Sequence, residues 1–127
     1  MYKIKFANGT EWVHEEAVET SEFYDGTTRR TLTVRLAPDK GVALDAVNDV
    51  LSNSANTDSV TLSNYGDDGA LIGQCVYDHY QIKIEVAQRP TVVGSDEITG
   101  EETKADRISF RLGRLTPIEI KLAALGL

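Results

Sequence analysis

The sequence has almost no cysteine: Cys75 is the only one among 127 residues. A single cysteine forms no internal disulfide, and with only two histidines the chain has no spacing typical of a zinc site. Cys75 lies in the apolar stretch LIGQCVYDHY, which predicts a buried small side chain. His79 follows four residues later, about 13 Å away along an extended strand, so we expect no thiolate–imidazole pair.

Long apolar runs are also missing, and no stretch approaches the roughly 18 residues typical of a membrane-spanning helix. The opening MYKIKFANGTEW has no basic segment followed by an apolar one, so we expect no secretory signal. Lys and Arg number 13 against 20 Asp and Glu, a formal net charge of −7. Because this charge repels phosphate groups, we expect no nucleic-acid partner and no attraction to an anionic membrane surface.

Catalytic and cofactor-binding motifs are missing too: there is no GxSxG, no glycine-rich phosphate loop and no HExxH. His14 and His79 lie far apart on predicted strands. We expect each to be an ordinary surface or edge residue rather than a ligand. GDDG at 66–69 resembles a turn more than a calcium loop, whose ligands usually alternate along the chain. We therefore expect no enzymatic activity, catalytic residue, metal or cofactor; a site assembled from distant residues is the alternative.

Alternation of apolar and polar residues is the main pattern present, and it predicts about seven mostly antiparallel strands in one domain, 1–127. Asn8-Gly9 and Asp25-Gly26 are typical of hairpin turns. The most regular alternation, HYQIKIEVAQ, predicts a strand through the centre of the sheet. The predicted fold class is α+β: a β-sandwich or partly closed barrel, one helix packed on a face and a short C-terminal helix.

Two segments depart from this alternation before the C-terminus. Leu44, Val47 and Leu51 recur at three- and four-residue spacing, which predicts a helix that covers one face of the sheet. Segment 89–106 loses periodicity and is rich in acidic residues. It predicts an irregular loop or arm, with a short hairpin inside it as the alternative.

The C-terminal segment 116–127 predicts a second helix. Thr116 and Glu119 have the spacing of a capping box, and Pro117 occupies the first helical position. The helix is too short to be stable alone in water, and it is more apolar than a surface helix needs. We therefore expect it to pack on its own sheet, to lie on a neighbour, or to be part of a longer helix in a longer natural chain. The second possibility makes its large apolar residues interface residues: Ile118, Leu122, Leu125 and Leu127.

Trp12 is the other candidate interface residue. A two-residue turn at Asn8-Gly9 places Lys5 opposite Trp12, where the ammonium can lie over the ring with a stabilisation of about 0.5–1 kcal/mol. That arrangement puts Trp12 on an exposed face. A position in a small core is the equal alternative.

Positive charge is concentrated locally at Arg29, Arg30 and Arg35. The preferred interpretation is a solvated face on which these arginines form ion pairs with the acidic residues that precede them, namely Glu15, Glu16, Glu19 and Glu22.

In layout the chain resembles the small, sheet-rich structural proteins encoded among the tail genes of tailed bacteriophages. The resemblance rests on YKIKFANGTEWV, RRTLTVRL, ALDAVNDVLSN, YQIKIEVAQ and ISFRLGRLTPIEIKLAAL. It implies a tail, baseplate or connector component that is made in the host cytoplasm and enters the virion as a homo-oligomer or docked on other tail proteins. The alternative is a small bacterial ligand- or peptide-binding module with Trp12 and Tyr80 along a groove.

Overall fold

The computed structural model describes residues 1–38 and 42–126. The strands are β1 (Tyr2–Lys5), β2 (Glu11–Tyr24), β3 (Thr27–Leu36), β4 (Ser59–Tyr65), β5 (Leu71–Asp78), β6 (Ile82–Ser95) and β7 (Glu102–Gly113). The helices are α1 (Leu44–Ser52) and α2 (Pro117–Ala124), and a short 3-10 helix covers Ser54–Thr57.

All seven strands form one antiparallel sheet in the order β5-β4-β1-β2-β3-β7-β6. The α+β class predicted from the sequence is confirmed, and the sheet stays open, with β5 at one edge and β6 at the other. The expectation that HYQIKIEVAQ crosses the centre of the sheet is wrong. Regular alternation shows that a strand has two different faces, but it does not show which strands lie beside it.

The core lies between the sheet and α1. Val47 and Leu51 of the helix are buried together with apolar residues from several strands, as their spacing predicts. The buried strand residues include Ile4, Leu32, Val34, Leu36, Val60, Phe110 and Leu112. At the β6 side of the sheet, the Lys83 ammonium donates to Asn48 Oδ1 at 2.9 Å, which ties α1 to this edge.

The first hairpin differs in register from the expectation. The Phe6 amide donates to Thr10 O at 2.8 Å, and Gly9 has a φ of 90°, so the loop has one residue more than a two-residue turn. Ile4 therefore lies opposite Trp12, and Lys5 lies opposite Glu11. The predicted contact between Lys5 and Trp12 is wrong because this extra residue moves Trp12 to the face of Ile4.

The second hairpin follows its sequence signal. Asp25 and Gly26 have φ values of 52° and 84°, as a type I′ turn requires, and they join β2 directly to β3. A bulge at Glu15, between the paired residues His14 and Glu16, shifts the less exposed positions of β2 from Trp12 and His14 to Ala17 and Glu19.

The segment 89–106 is not irregular. Its two halves pair from Arg89 opposite Arg107 to Ser95 opposite Glu102, with one bulge between Val92 and Gly94, so β6 and β7 continue as a ribbon. Within β7, only Ser109–Gly113 pairs with β3. The ribbon therefore extends beyond the sheet as an arm. Both of its faces are largely exposed, so it has no apolar face to impose alternation on the sequence.

Asp96 closes the ribbon. Its carboxylate accepts hydrogen bonds from the amides of Ile98 and Thr99 at 2.8 and 3.1 Å. These bonds, the one from Thr99 first, lower the pKa of Asp96. The tip of the arm is thus a closed turn, and the apolar side chain of Ile98 lies exposed on it.

Candidate interaction surfaces

Local hydrogen bonds define the start of α2. The Thr116 amide donates to Glu119 Oε1 at 2.8 Å, and the Glu119 amide donates to Thr116 Oγ1 at 3.3 Å. The capping box predicted from the sequence is therefore confirmed, with Pro117 as the first residue of the helix.

A buried arginine holds α2 on the sheet. The Arg29 side chain is 1% exposed, and its guanidinium donates to Glu119 Oε1 at 2.8 Å. The same guanidinium donates to the carbonyls of Tyr24 and Arg114 at 3.0 and 2.9 Å. One side chain thus connects the β2–β3 turn, the end of β7 and α2. Neither partner's local sequence predicts this contact, because 90 residues separate Arg29 from Glu119.

The ion pair shifts the titration of Glu119. The hydrogen bond from Arg29, followed by the one from the Thr116 amide, lowers the pKa of Glu119 from 4.5 to about 2. A lowered pKa means that the pair stabilises the folded chain fully above the ordinary pKa and progressively less as the pH falls toward 2.

We expect Glu119→Gln to lower the free energy of unfolding at pH 7 by about 1–2 kcal/mol, a value reduced for solvent screening because the carboxylate is partly exposed. The difference between wild type and variant should shrink below pH 4.5 and be largely lost near pH 2. Urea unfolding at pH 7, 4 and 2.5 measures it. Glu97→Gln, at an exposed position in the arm's turn, is the control and should differ little from wild type. A Glu119 difference that does not depend on pH would contradict this account.

The other arginines of the cluster behave as the sequence predicts. Arg30 pairs with Glu19, and Arg35 Nε donates to Glu15 Oε2 at 2.9 Å. Arg107 reaches the other oxygen of the Glu15 carboxylate, also at 2.9 Å. The ion-pair interpretation is confirmed for Arg30 and Arg35, whereas Arg29 is buried and serves α2.

The outward side of α2 is apolar. Ile118, Leu122 and Leu125 are 71%, 42% and 73% exposed, at the spacing of one helical stripe. We call these three residues the α2 stripe. Leu127, named with them as an interface residue, lies outside the described residues. Trp12 is half-buried and packs edge-on against Phe6, with ring centroids 5.0 Å apart, so part of its surface serves the core.

A groove of about 500 Å³ lies on the sheet between β5 and β2. Its lining residues are Tyr2, His14, Glu15, Glu16, Ala17, Leu62, Ser63, Asn64, Gly73, Gln74 and Cys75. His14 is 6% exposed, and neither ring nitrogen has a hydrogen-bond partner among the described residues. Burial lowers the pKa of this imidazole, which favours its neutral form.

Three expectations about this region are wrong. His14, expected at a surface or edge position, is buried on β2 between β1 and β3. Cys75 is exposed because it lies on the edge strand β5, whereas α1 packs at the β6 side of the sheet. Tyr80 is buried in the core, where its hydroxyl lies 3.3 Å from Glu19 Oε2, so it does not line a groove. His79 Nδ1 lies 3.3 Å from a carboxylate oxygen of Asp58.

Over residues 1–38 and 42–126, no three or more His, Cys, Asp and Glu side chains are grouped as metal ligands. In the same ranges, no helix has the length and apolar character to cross a membrane. Comparison with protein-family models, curated proteins and solved structures found no match for this chain.

Proposed function

We propose that this chain is a non-catalytic structural component of a tailed-bacteriophage virion, in the tail, baseplate or connector, that works by self-association and by docking on other tail proteins. The observation that carries the proposal is the α2 stripe. An eight-residue helix is fixed on the sheet by buried Arg29 and a capping box, yet it has no buried residue of its own.

Fixing the helix favours binding. An isolated helix of this length would have to fold on its partner, and that ordering would weaken the complex. Here the ion pair with Arg29 and the capping box order α2 before any partner arrives. Complete burial of one large apolar side chain stabilises a complex by about 1.5–3 kcal/mol, so the three partly exposed ones contribute several kcal/mol toward the cost of association.

The β6–β7 arm supports the same proposal. It extends beyond the sheet and carries the exposed apolar residue Ile98 at its tip. Two-stranded ribbons are marginally stable alone, but this one continues from strands that are paired within the sheet. An arm of this kind can contact a neighbour at a distance, while the net charge of −7 keeps free copies soluble.

The double variant Ile118→Ser/Leu125→Ser tests the α2 stripe. We expect it to raise the dissociation constant for self-association at least about tenfold, because it removes two anchors from one apolar surface. Light scattering over a concentration series measures the change. Phe23→Ser, at an exposed position of β2 next to the β2–β3 turn, is the control and should associate like wild type. Equal association of wild type and double variant would overturn the role of α2.

The place in the virion is tested separately. Mass spectrometry of purified particles of the phage that encodes the chain should detect it in several copies per particle. Its absence from intact particles, with the chain present in the infected-cell lysate, would contradict a virion role.

The groove around His14 favours a second candidate function, a small ligand-binding module. The buried imidazole has two unpartnered nitrogens beside a groove of about 500 Å³, and a ligand with polar hydrogen-bonding groups could satisfy them. A thermal-shift screen with small amides and carboxylates tests it. A compound that stabilises wild type but not His14→Phe would favour this function.

A further inference from the structure

The two edges of the sheet are built differently. Along β6, Lys83, Arg89 and Pro90 occupy the strand, and its pairing with β7 is irregular at two places. Charged side chains, proline and bulges are the features by which natural edge strands avoid pairing with another chain. In addition, Lys83 connects this edge to α1. The β6 edge is therefore protected.

The β5 edge has little of this protection. Its sequence LIGQCVYD has no lysine, arginine or proline, and its one charged residue is the last, Asp78. Leu71, Ile72 and Val76 are exposed. The irregularity in its pairing with β4 lies at the beginning of the strand, so Gly73–Asp78 forms a regular ladder with β4. An exposed, regular and apolar edge strand is a template for adding another strand.

The backbone of β5 offers free hydrogen-bonding groups. At the end of its ladder with β4, the His79 amide donates to Asp58 O at 2.8 Å. Residues of an antiparallel strand point their amide and carbonyl alternately toward one neighbour and toward the other. The amides of Gln74, Val76 and Asp78 and the carbonyls of Gln74 and Val76 therefore point away from β4, to the open edge. The Asp78 carbonyl at the end of the strand already accepts a hydrogen bond from Arg114 Nε at 3.1 Å.

We infer that β5 pairs antiparallel with β5 of a second copy of this chain, centred on Val76, so that two seven-stranded sheets join into one. In this register Val76 lies opposite its counterpart, and Gln74 lies opposite Asp78. Residues 74, 76 and 78 of the two copies then exchange about four backbone hydrogen bonds, because the Asp78 carbonyl is held by Arg114 in each copy.

The uncharged β5 edge permits a second copy as the partner, and its symmetry favours one. The chain carries a net charge of −7, so most surfaces of two copies repel each other. Residues 69–77 have no charged side chain, and two copies can meet there at little electrostatic cost. An antiparallel edge is also complementary to itself under two-fold symmetry. The inference deepens the proposed function by naming a partner and a surface, and its biological role rests on that function.

Val76→Lys tests the inference, with Val18→Lys as its matched control. Val76 and Val18 are similarly exposed, at 51% and 42%, but Val18 lies on β2, opposite Thr33 of β3 and away from the β5 edge. Both changes are made in the Ile118→Ser/Leu125→Ser background, so that association through α2 does not contribute. We expect sedimentation equilibrium to show a dimer for the background and for Val18→Lys. Val76→Lys should raise the dissociation constant of this dimer at least about tenfold.

Circular dichroism verifies that each variant is folded. A monomeric background protein at about 100 µM, or a Val76→Lys protein that dimerises like its control, would overturn the inference. Both outcomes leave the α2 test intact, because that test compares wild type with the background variant. Conversely, if the Ile118→Ser/Leu125→Ser background associates as tightly as wild type, this counts against the α2 stripe and not against β5.

Cross-linking gives a second, independent readout. In a Cys75→Ser background, Val76→Cys should form an intermolecular disulfide on mild oxidation, because facing residues of an antiparallel pair have Cα atoms about 5.5 Å apart. Val18→Cys should not. Equal cross-linking of the two variants would contradict pairing centred on Val76.

Discussion

Replacing Arg29 with methionine should lower the free energy of unfolding by about 3–5 kcal/mol. The substitution removes the cation that pairs with Glu119 and leaves two backbone carbonyls, of Tyr24 and Arg114, without their donor. It keeps most of the apolar length of the side chain, so lost packing contributes little. Because Arg29 connects α2 to the sheet, the variant should also loosen α2 before the sheet unfolds.

The adjacent residue supplies the control. Arg30 is 56% exposed and pairs with Glu19 at the surface, so Arg30→Met should cost less than about 1 kcal/mol. Urea unfolding followed by circular dichroism measures both variants, and hydrogen exchange of α2 amides reports the loosening. Equal losses for Arg29→Met and Arg30→Met would show that Arg29 is not the buried anchor described above.

Phe110→Ala should also lower the free energy of unfolding by about 3–5 kcal/mol, because it leaves a cavity in the core between α1 and the sheet. Phe110 lies opposite Val34 on one side and Val86 on the other, and its ring centroid is 6.1 Å from that of Phe6. Neighbouring side chains on β3, on β6 and in the loop after β1 therefore lose contacts at once.

Phe23→Ala is the matched control for this second change. Phe23 is exposed at the end of β2, and its truncation should alter the free energy of unfolding by no more than about 0.5 kcal/mol. Urea unfolding at constant m-value separates the two variants. A loss below about 1 kcal/mol for Phe110→Ala would contradict its place in the core.

Features that depend on a few neighbouring residues could be predicted well. The Asp25-Gly26 turn, the capping box of Thr116 and Glu119, and the helix containing Val47 and Leu51 are all present where their patterns occur. Each is specified by backbone geometry or side-chain spacing within a few residues. Contacts with distant parts of the chain are not needed to produce the signal.

Features that depend on the length of a loop, on a third strand or on a distant side chain could not be predicted. The first hairpin has one loop residue more than its Asn-Gly signal indicates, and this changed the partner of Trp12. The segment 89–106 looked irregular because a two-sided exposed ribbon has no buried face to impose a pattern. Strand order also left no trace in the sequence, which is why β6 was expected at the centre rather than at an edge.

For the candidate surfaces, the sequence by itself determined that α2 begins at a capping box and carries Ile118, Leu122 and Leu125 on one stripe, since helical periodicity alone places them together. Only the tertiary structure decided that the stripe points outward, because this depends on buried Arg29 holding Glu119 from 90 residues away. The tertiary structure likewise decided that β5 is an open edge. A strand's own residues set its two faces, but the order of the sheet determines whether its backbone groups have a second neighbour.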